Sequence, residues 1–155
     1  EVGAMFEAER SHILQLERSA CDVAAGIIEM RRRMLAGHPN TTELFDVKHD
    51  RGGMVDFEFI VQMLVLSHSH THAELVNNFG NIKMLEMVSD AGLIPEDLAL
   101  EVSSIYRKYR RIQHEFRLNS PSLPVRVPKE EFAEEAKKVR QLWSLVFGPS
   151  EGQGT

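Results

Sequence analysis

The residues in this chain best suited to chemistry crowd around one stretch, "RGGMVDFEFIVQ", which runs from Arg51 to Gln62. Asp56 and Glu58 form a D-x-E pair, which on a strand points both carboxylates to one side, as the two magnesium ions of a nucleotidyl-transfer site require. On a helix, residues two apart lie about 200° apart, at ~100° per residue, and the pair diverges. Everything downstream of Val55 reads as helix, which argues against the metal reading. Glu58 and Gln62 differ in that they share a helical face at i, i+4. In so apolar a segment that face must meet hydrogen-bond donors or a wet cleft, because an unpaired buried carboxylate is very costly. The plain alternative is a structural anchor. The preceding loop would fold back so that Lys48 and Arg51 satisfy Asp56 and Glu58, with Asp56 capping the helix.

Gly52-Gly53 before a helix start can offer backbone amides to a phosphate, but without a preceding strand or a Lys-Ser/Thr pair it reads more simply as a tight turn. His68, His70 and His72 place two imidazoles at i, i+4 if the helix continues, a spacing zinc can use. No acidic or cysteine ligand completes a site, so no metal is expected there. Tyr106, Arg110 and His114 fall at i, i+4 and i+8. With Arg107, Lys108 and Arg111 they make a locally basic surface, either a solvated face or a contact for phosphate or an acidic partner through Arg110 and His114. No nucleophile elbow or recognisable catalytic cysteine motif occurs, so no catalytic residue is expected in this chain.

These groups must be positioned by helices. Phe6, Ile13, Leu16, Ala20, Val23, Ile27, Met30 and Met34 follow a 3-4 alternation toward His38. Ser19 with Asp22 offers an N-cap that would divide this stretch in two, and Gly37 and Pro39 close it. Residues 37 to 54 read as loop. A second helix, from Val55 to about His70, is apolar nearly all round, as expected of a central helix wrapped by others. A third runs from Asn77 to Ala91, with Gly92 as its C-terminal cap. A fourth starts with Pro95 in its first turn and carries Leu98, Val102, Ile105, Tyr109, Ile112 and Phe116 inward. Pro121, Pro124 and Pro128 hold an extended connection. The last helix, Lys129 to Phe147, carries Phe132, Ala136, Val139, Trp143 and Val146 inward. No long period-two alternation or hairpin signal is present. The expectation is an all-α helical bundle of five or six helices, one domain over residues 1–148, with residues 149–155 a disordered tail.

The chain of 155 residues can bury a core without metal or disulfide staples. Its net charge of −5 is spread rather than blocked, so nothing general points to nucleic acid or a membrane surface. The lone Cys21 suits a reducing compartment, and no stretch reaches the roughly 20 apolar residues needed to span a bilayer. The opening EVGAMFEAER has no signal-peptide order and no initiator methionine. A cytoplasmic fragment of a longer protein is expected.

The central stretch closely resembles the K-x-x-x-G-G-[IM]-x-D-[IF]-E-F-x-x-Q segment of the glutamine synthetase adenylyltransferase family, through Lys48, Gly52, Gly53, Asp56, Glu58, Phe59 and Gln62. The uridylyltransferase of the PII signal protein carries a related segment. The likeness extends upstream to "MRRRM", downstream to "NIKMLEMVSDAGLI", and on to the Tyr106, Arg110, His114 spacing and the Trp143 helix. Asn78 stands where the family often has tryptophan, and Met54 and Phe57 stand for isoleucine, which read as packing swaps. The resemblance implies a helical domain that follows a nucleotidyltransferase domain in a bifunctional enzyme, more like the second, adenylylating half. It implies that the catalytic Gly-Ser and D-x-D motif, ATP and Mg2+ belong to the other domain. This chain would bring no cofactor of its own and would shape the domain junction with Lys48, Gly52, Gly53, Asp56, Glu58 and Gln62. The implied partners are that nucleotidyltransferase domain, glutamine synthetase and PII. Two alternatives stay open: a regulatory module that binds PII or glutamine, and the helical domain of the PII uridylyltransferase.

Overall fold

The computed structural model describes residues 20–77 and 79–148, and the side chains of Ala20 and Val76 lie outside that description. The expected stripe at Phe6, Ile13 and Leu16, the Ser19 cap, the Asn78 departure and the tail after Gly148 also fall outside it. Five α-helices are described: α1 (Ala20–Gly37), α2 (Met54–His68), α3 (Asn81–Asp90), α4 (Glu96–Asn119) and α5 (Ala133–Phe147). Two short strands, β1 (Leu44–Asp46) and β2 (Arg126–Pro128), and two 3-10 turns (Ala73–Val76 and Glu130–Phe132) complete them. The protein is mostly helical, as its apolar periodicity predicts.

Helix α2 is the hub and packs on each of the other four helices. It buries Asp56, Phe57 and Ile60 completely and seven further side chains nearly so. A helix apolar on every side can be stable only when wrapped in this way. Around it α1 contributes Ile27, α3 Leu85 and Val88, α4 Leu98, Val102, Tyr106 and Tyr109, and α5 Ala136, Val139, Leu142 and Trp143.

Several expectations are corrected. The loop between α1 and α2 contains β1, which pairs antiparallel with β2 at Leu44↔Pro128, Phe45↔Val127 and Asp46↔Arg126. Phe45 and Val127 are buried by this pairing, and a three-residue strand is too short to show as period two in the sequence. The third helix starts at Asn81 rather than Asn77, because Gly80 takes φ +90° ahead of it. The last α-helix starts at Ala133, after a 3-10 turn that buries Phe132. Pro95 is the N-cap of α4 rather than a first-turn residue. In the inward stripes, Met30 is 51% and Phe116 38% exposed, whereas Tyr106, outside the expected stripe, is 5% exposed. Gly92 does end α3, at φ +76°. Its N–H donates to Ser89 O and that of Leu93 to Val88 O, a Schellman closure.

Candidate functional site

The loop from Asp46 to Gly53 is built almost wholly from its own hydrogen bonds. Asp46 Oδ1 accepts the N–H groups of Lys48 and His49, each at 3.0 Å. Asp50 Oδ2 accepts Asp46 N–H at 2.9 Å and Asn40 Nδ2 at 2.8 Å. The loop then hands two acceptors to the first turn of α2: Met54 N–H donates to Val47 O at 2.9 Å and Val55 N–H to Lys48 O at 3.1 Å. Lys48 is thus placed by backbone bonding rather than by its flexible side chain.

Beneath the loop lies a buried anchor. Asp56 and Arg31 are both fully buried. Arg31 Nε donates to Asp56 Oδ1 at 2.5 Å and Arg31 Nη2 to the His49 carbonyl at 2.7 Å. Asp56 Oδ2 accepts the Gly52 N–H at 2.7 Å, and Tyr109 OH donates to Gly52 O at 3.0 Å. Gly52 has φ +85°, and a Cβ there would sit 2.5 Å from Ala136 O, so only glycine lets the loop pass α5. At Gly53 a Cβ would meet Val47 O at 2.5 Å. The pair is therefore a tight, close-packed turn, with the Gly52 amide already committed to Asp56.

Asp56 and Glu58 point to opposite sides of α2, as helical geometry requires. Glu58 faces a cleft of about 690 Å³ between the loop, α3 and α4. Five cationic side chains line that cleft, Lys48, Lys83, Arg107, Arg110 and Arg117, against the two carboxylates of Glu58 and Glu86. Burial pushes the Glu58 carboxyl above its ordinary range, while Lys48, the Tyr106 hydroxyl and Arg110 pull the other way. Tyr106 stacks on Phe57 with ring centroids 4.1 Å apart. Burial raises its phenol, which hydrogen-bonds with Asn81 and Glu58. A second cavity of about 420 Å³ shares Lys48, Gln113 and Arg117 with the first and continues it toward His49 and Arg126.

The residues singled out from the sequence thus divide. Lys48, Glu58 and Arg110 meet in the cleft, and Asp56, Gly52 and Gly53 form the anchor beneath it. Gln62 and His114 are exposed and line neither cavity. The partner of Asp56 is Arg31, not Lys48 or Arg51. Burial lowers the pKa of the Arg51 guanidinium below its ordinary value, with Asp56 opposing that and Arg31 adding to it. Arg31 was legible in principle, since it falls four residues after Ile27 and three before Met34, on the inward face. His68 ends α2, and its ring meets that of His72 edge-on at 6.3 Å. Among the described residues no three His, Cys, Asp or Glu side chains gather as a metal site. Asn81 and Lys83 were not singled out, because their place depends on how α3 lies against α4.

Fold and cleft together define a mainly helical domain that presents a cationic, carboxylate-floored cleft beside a glycine-bound loop. A family model described as GlnD PII-uridylyltransferase matches residues 22–145, and the chain belongs to that family. It is 50% identical over 147 residues to a bifunctional glutamine synthetase adenylyltransferase/adenylyl-removing enzyme of Burkholderia mallei, a match covering 95% of this chain and 16% of that protein. Proteins of the same description match from Bordetella bronchiseptica, at 49% identity over 95% of this chain and 16% of the relative, and from Nitrosomonas europaea, at 38% over 96% and 17%. The chain thus spans about one sixth of the length of these relatives. No helix among the described residues is long and apolar enough to cross a membrane.

Proposed function

We propose that this chain is the helical accessory domain of a cytoplasmic bifunctional glutamine synthetase adenylyltransferase/adenylyl-removing enzyme, from its second, adenylylating half. That enzyme moves AMP from ATP to a tyrosine of glutamine synthetase, with the PII signal protein as a further partner. The Asp56 and Glu58 pair does not suit Mg2+: Asp56 is engaged by Arg31, and Glu58 stands among cations. Metal and chemistry are therefore assigned to the nucleotidyltransferase domain. The role of this domain is to present the Lys48–Glu58–Arg110 face to that neighbour. The supporting observation is that the motif by which the chain resembles these enzymes splits, Gln62 aside, into a buried anchor and a cleft-facing set. Nucleotidyl transfer depends on placement of charge, so a displaced junction is costly in rate.

The test is Glu58→Gln in an enzyme containing this domain, together with thermal unfolding of the 155-residue chain carrying the same change. The expected result is a loss of AMP transfer to glutamine synthetase of about tenfold or more, with melting no lower than the parent's. Unchanged transfer, or transfer and melting falling together, would refute a role at the junction.

A further inference from the structure

We propose that the cleft is itself a binding site for a nucleoside polyphosphate, gripping the phosphates with Lys48, Arg110 and Arg117 and the nucleoside with Phe79, Tyr106 and Glu58. The inference rests on the reading above for which face matters, and adds the ligand that the face takes. Three observations converge on it.

First, the cleft gathers an excess of cations in a chain whose net charge is −5. Among the described residues, Lys83 is the cleft cation in a close ion pair with a cleft carboxylate, Glu86 at 3.3 Å, while Lys48 and Arg110 act on Glu58 without such a contact. Guanidinium groups in excess of the carboxylates beside them suit phosphate oxygens, which accept paired N–H donors. Secondly, the floor carries a carboxylate. A site for a bare anion would exclude Glu58, because it repels the ligand and lowers the local potential. Glu58 is useful where the ligand also brings neutral donors, as ribose hydroxyls do. The Tyr106 hydroxyl and the Asn81 side chain, which interact with each other there, add further polar contacts. Thirdly, Phe79 lines the cleft and is 57% exposed. An exposed aromatic ring beside arginines is a surface on which a base can stack.

The order along the groove follows from the shared walls. Phe79, Asn81 and Glu58 belong to the first cavity alone, while Lys48, Gln113 and Arg117 line both. The second cavity adds Arg126, whose Nε is buried without a hydrogen-bond acceptor among the described residues. A base on Phe79 and a ribose over Glu58 would therefore direct a phosphate chain toward Lys48, Arg117 and Arg126.

Isothermal titration of the 155-residue chain with ATP, AMP and inorganic tripolyphosphate at physiological ionic strength tests this. ATP is expected to bind saturably at one site, and more tightly than either AMP or tripolyphosphate. Arg110→Ala should weaken ATP about tenfold or more. Phe79→Ala should remove most of the advantage of ATP over tripolyphosphate while leaving tripolyphosphate binding unchanged. Both side chains are exposed, and circular dichroism melts of the variants are expected to match the parent. No saturable ATP binding, an Arg110→Ala variant that binds ATP as well as the parent, or equal affinity for ATP and tripolyphosphate would each overturn the proposal. Binding by the isolated chain with no loss of AMP transfer in Glu58→Gln would sink the junction role alone, so the two readings fail separately.

Discussion

Replacing Arg31 by methionine is expected to destabilise the domain by about 3–5 kcal/mol, because it leaves a buried carboxylate without its counter-charge. Both partners are fully buried, so solvent cannot screen the loss. Asp56 would keep the Gly52 N–H and the more distant charge of Arg51, and the His49 carbonyl would lose the Arg31 Nη2 donor. For a chain of 155 residues, that loss corresponds to a fall in Tm of about 6–20 °C. The assay is urea and thermal unfolding of the parent, Arg31→Met, Asp56→Asn and the double variant. Asp56→Asn strands the arginine charge and should cost a comparable amount. The double variant carries neither charge, so its cost should fall short of the sum of the singles by about 2–3 kcal/mol, the upper part of the range for coupled neighbours. Single-variant losses under about 1 kcal/mol, or additivity within about 0.5 kcal/mol, would show that the pair is not the anchor described here.

Gly52→Ala combines a positive φ with a Cβ 2.5 Å from the Ala136 carbonyl, and should cost about 2–4 kcal/mol in the same unfolding assay. Glu58 carries a carboxyl raised above its ordinary value of 4.5 by burial. The folded state therefore holds the proton where the unfolded chain has lost it, and stability should decline as pH rises from that ordinary value through the folded pKa. Denaturation midpoints measured between about pH 4.5 and 7 should show that decline in the parent and a flatter profile in Glu58→Gln. Gln62→Ala should change stability by no more than about 0.5 kcal/mol, because its side chain is exposed and lines neither cavity.

The helices were legible because each hides one stripe, and α2 because it hides nearly all of its faces. Stripe positions failed where a helix outruns the core it covers. Phe116 keeps phase with Leu98, yet lies in the last turn of α4 and is 38% exposed. Tyr106 failed in the other direction. Grouped by spacing with Arg110 and His114, it looked like surface, but its ring is held flat against Phe57 while its hydroxyl reaches the cleft. Pairings distant in sequence were the least legible. Asp56 needed a cation, and Lys48 and Arg51 were the near ones. The partner came from 25 residues upstream, on a helix whose placement no local pattern reveals. The same holds for β1 and β2, which are joined by three residue pairs about 80 positions apart.

Why an otherwise apolar helix carries Asp56 and Glu58 follows from their 200° separation. Asp56 turns toward α1 and locks the loop through Gly52, and Glu58 turns toward α3 and α4 and faces the cleft. The two jobs are linked by the backbone, because the same loop that Asp56 holds down delivers Lys48 to the cleft rim through the Val47 and Lys48 carbonyls. Damage to the anchor should therefore move a cleft charge as well as loosen the fold, so Arg31→Met should lose ligand binding and stability together. Damage in the cleft runs only one way. Arg110 is exposed, so its loss should remove binding and change unfolding by no more than about 0.5 kcal/mol. Finding Arg31→Met chains that are destabilised yet bind as tightly as the parent while folded would mean that the loop holds Lys48 without help from the anchor, and the link between the two carboxylates would be broken.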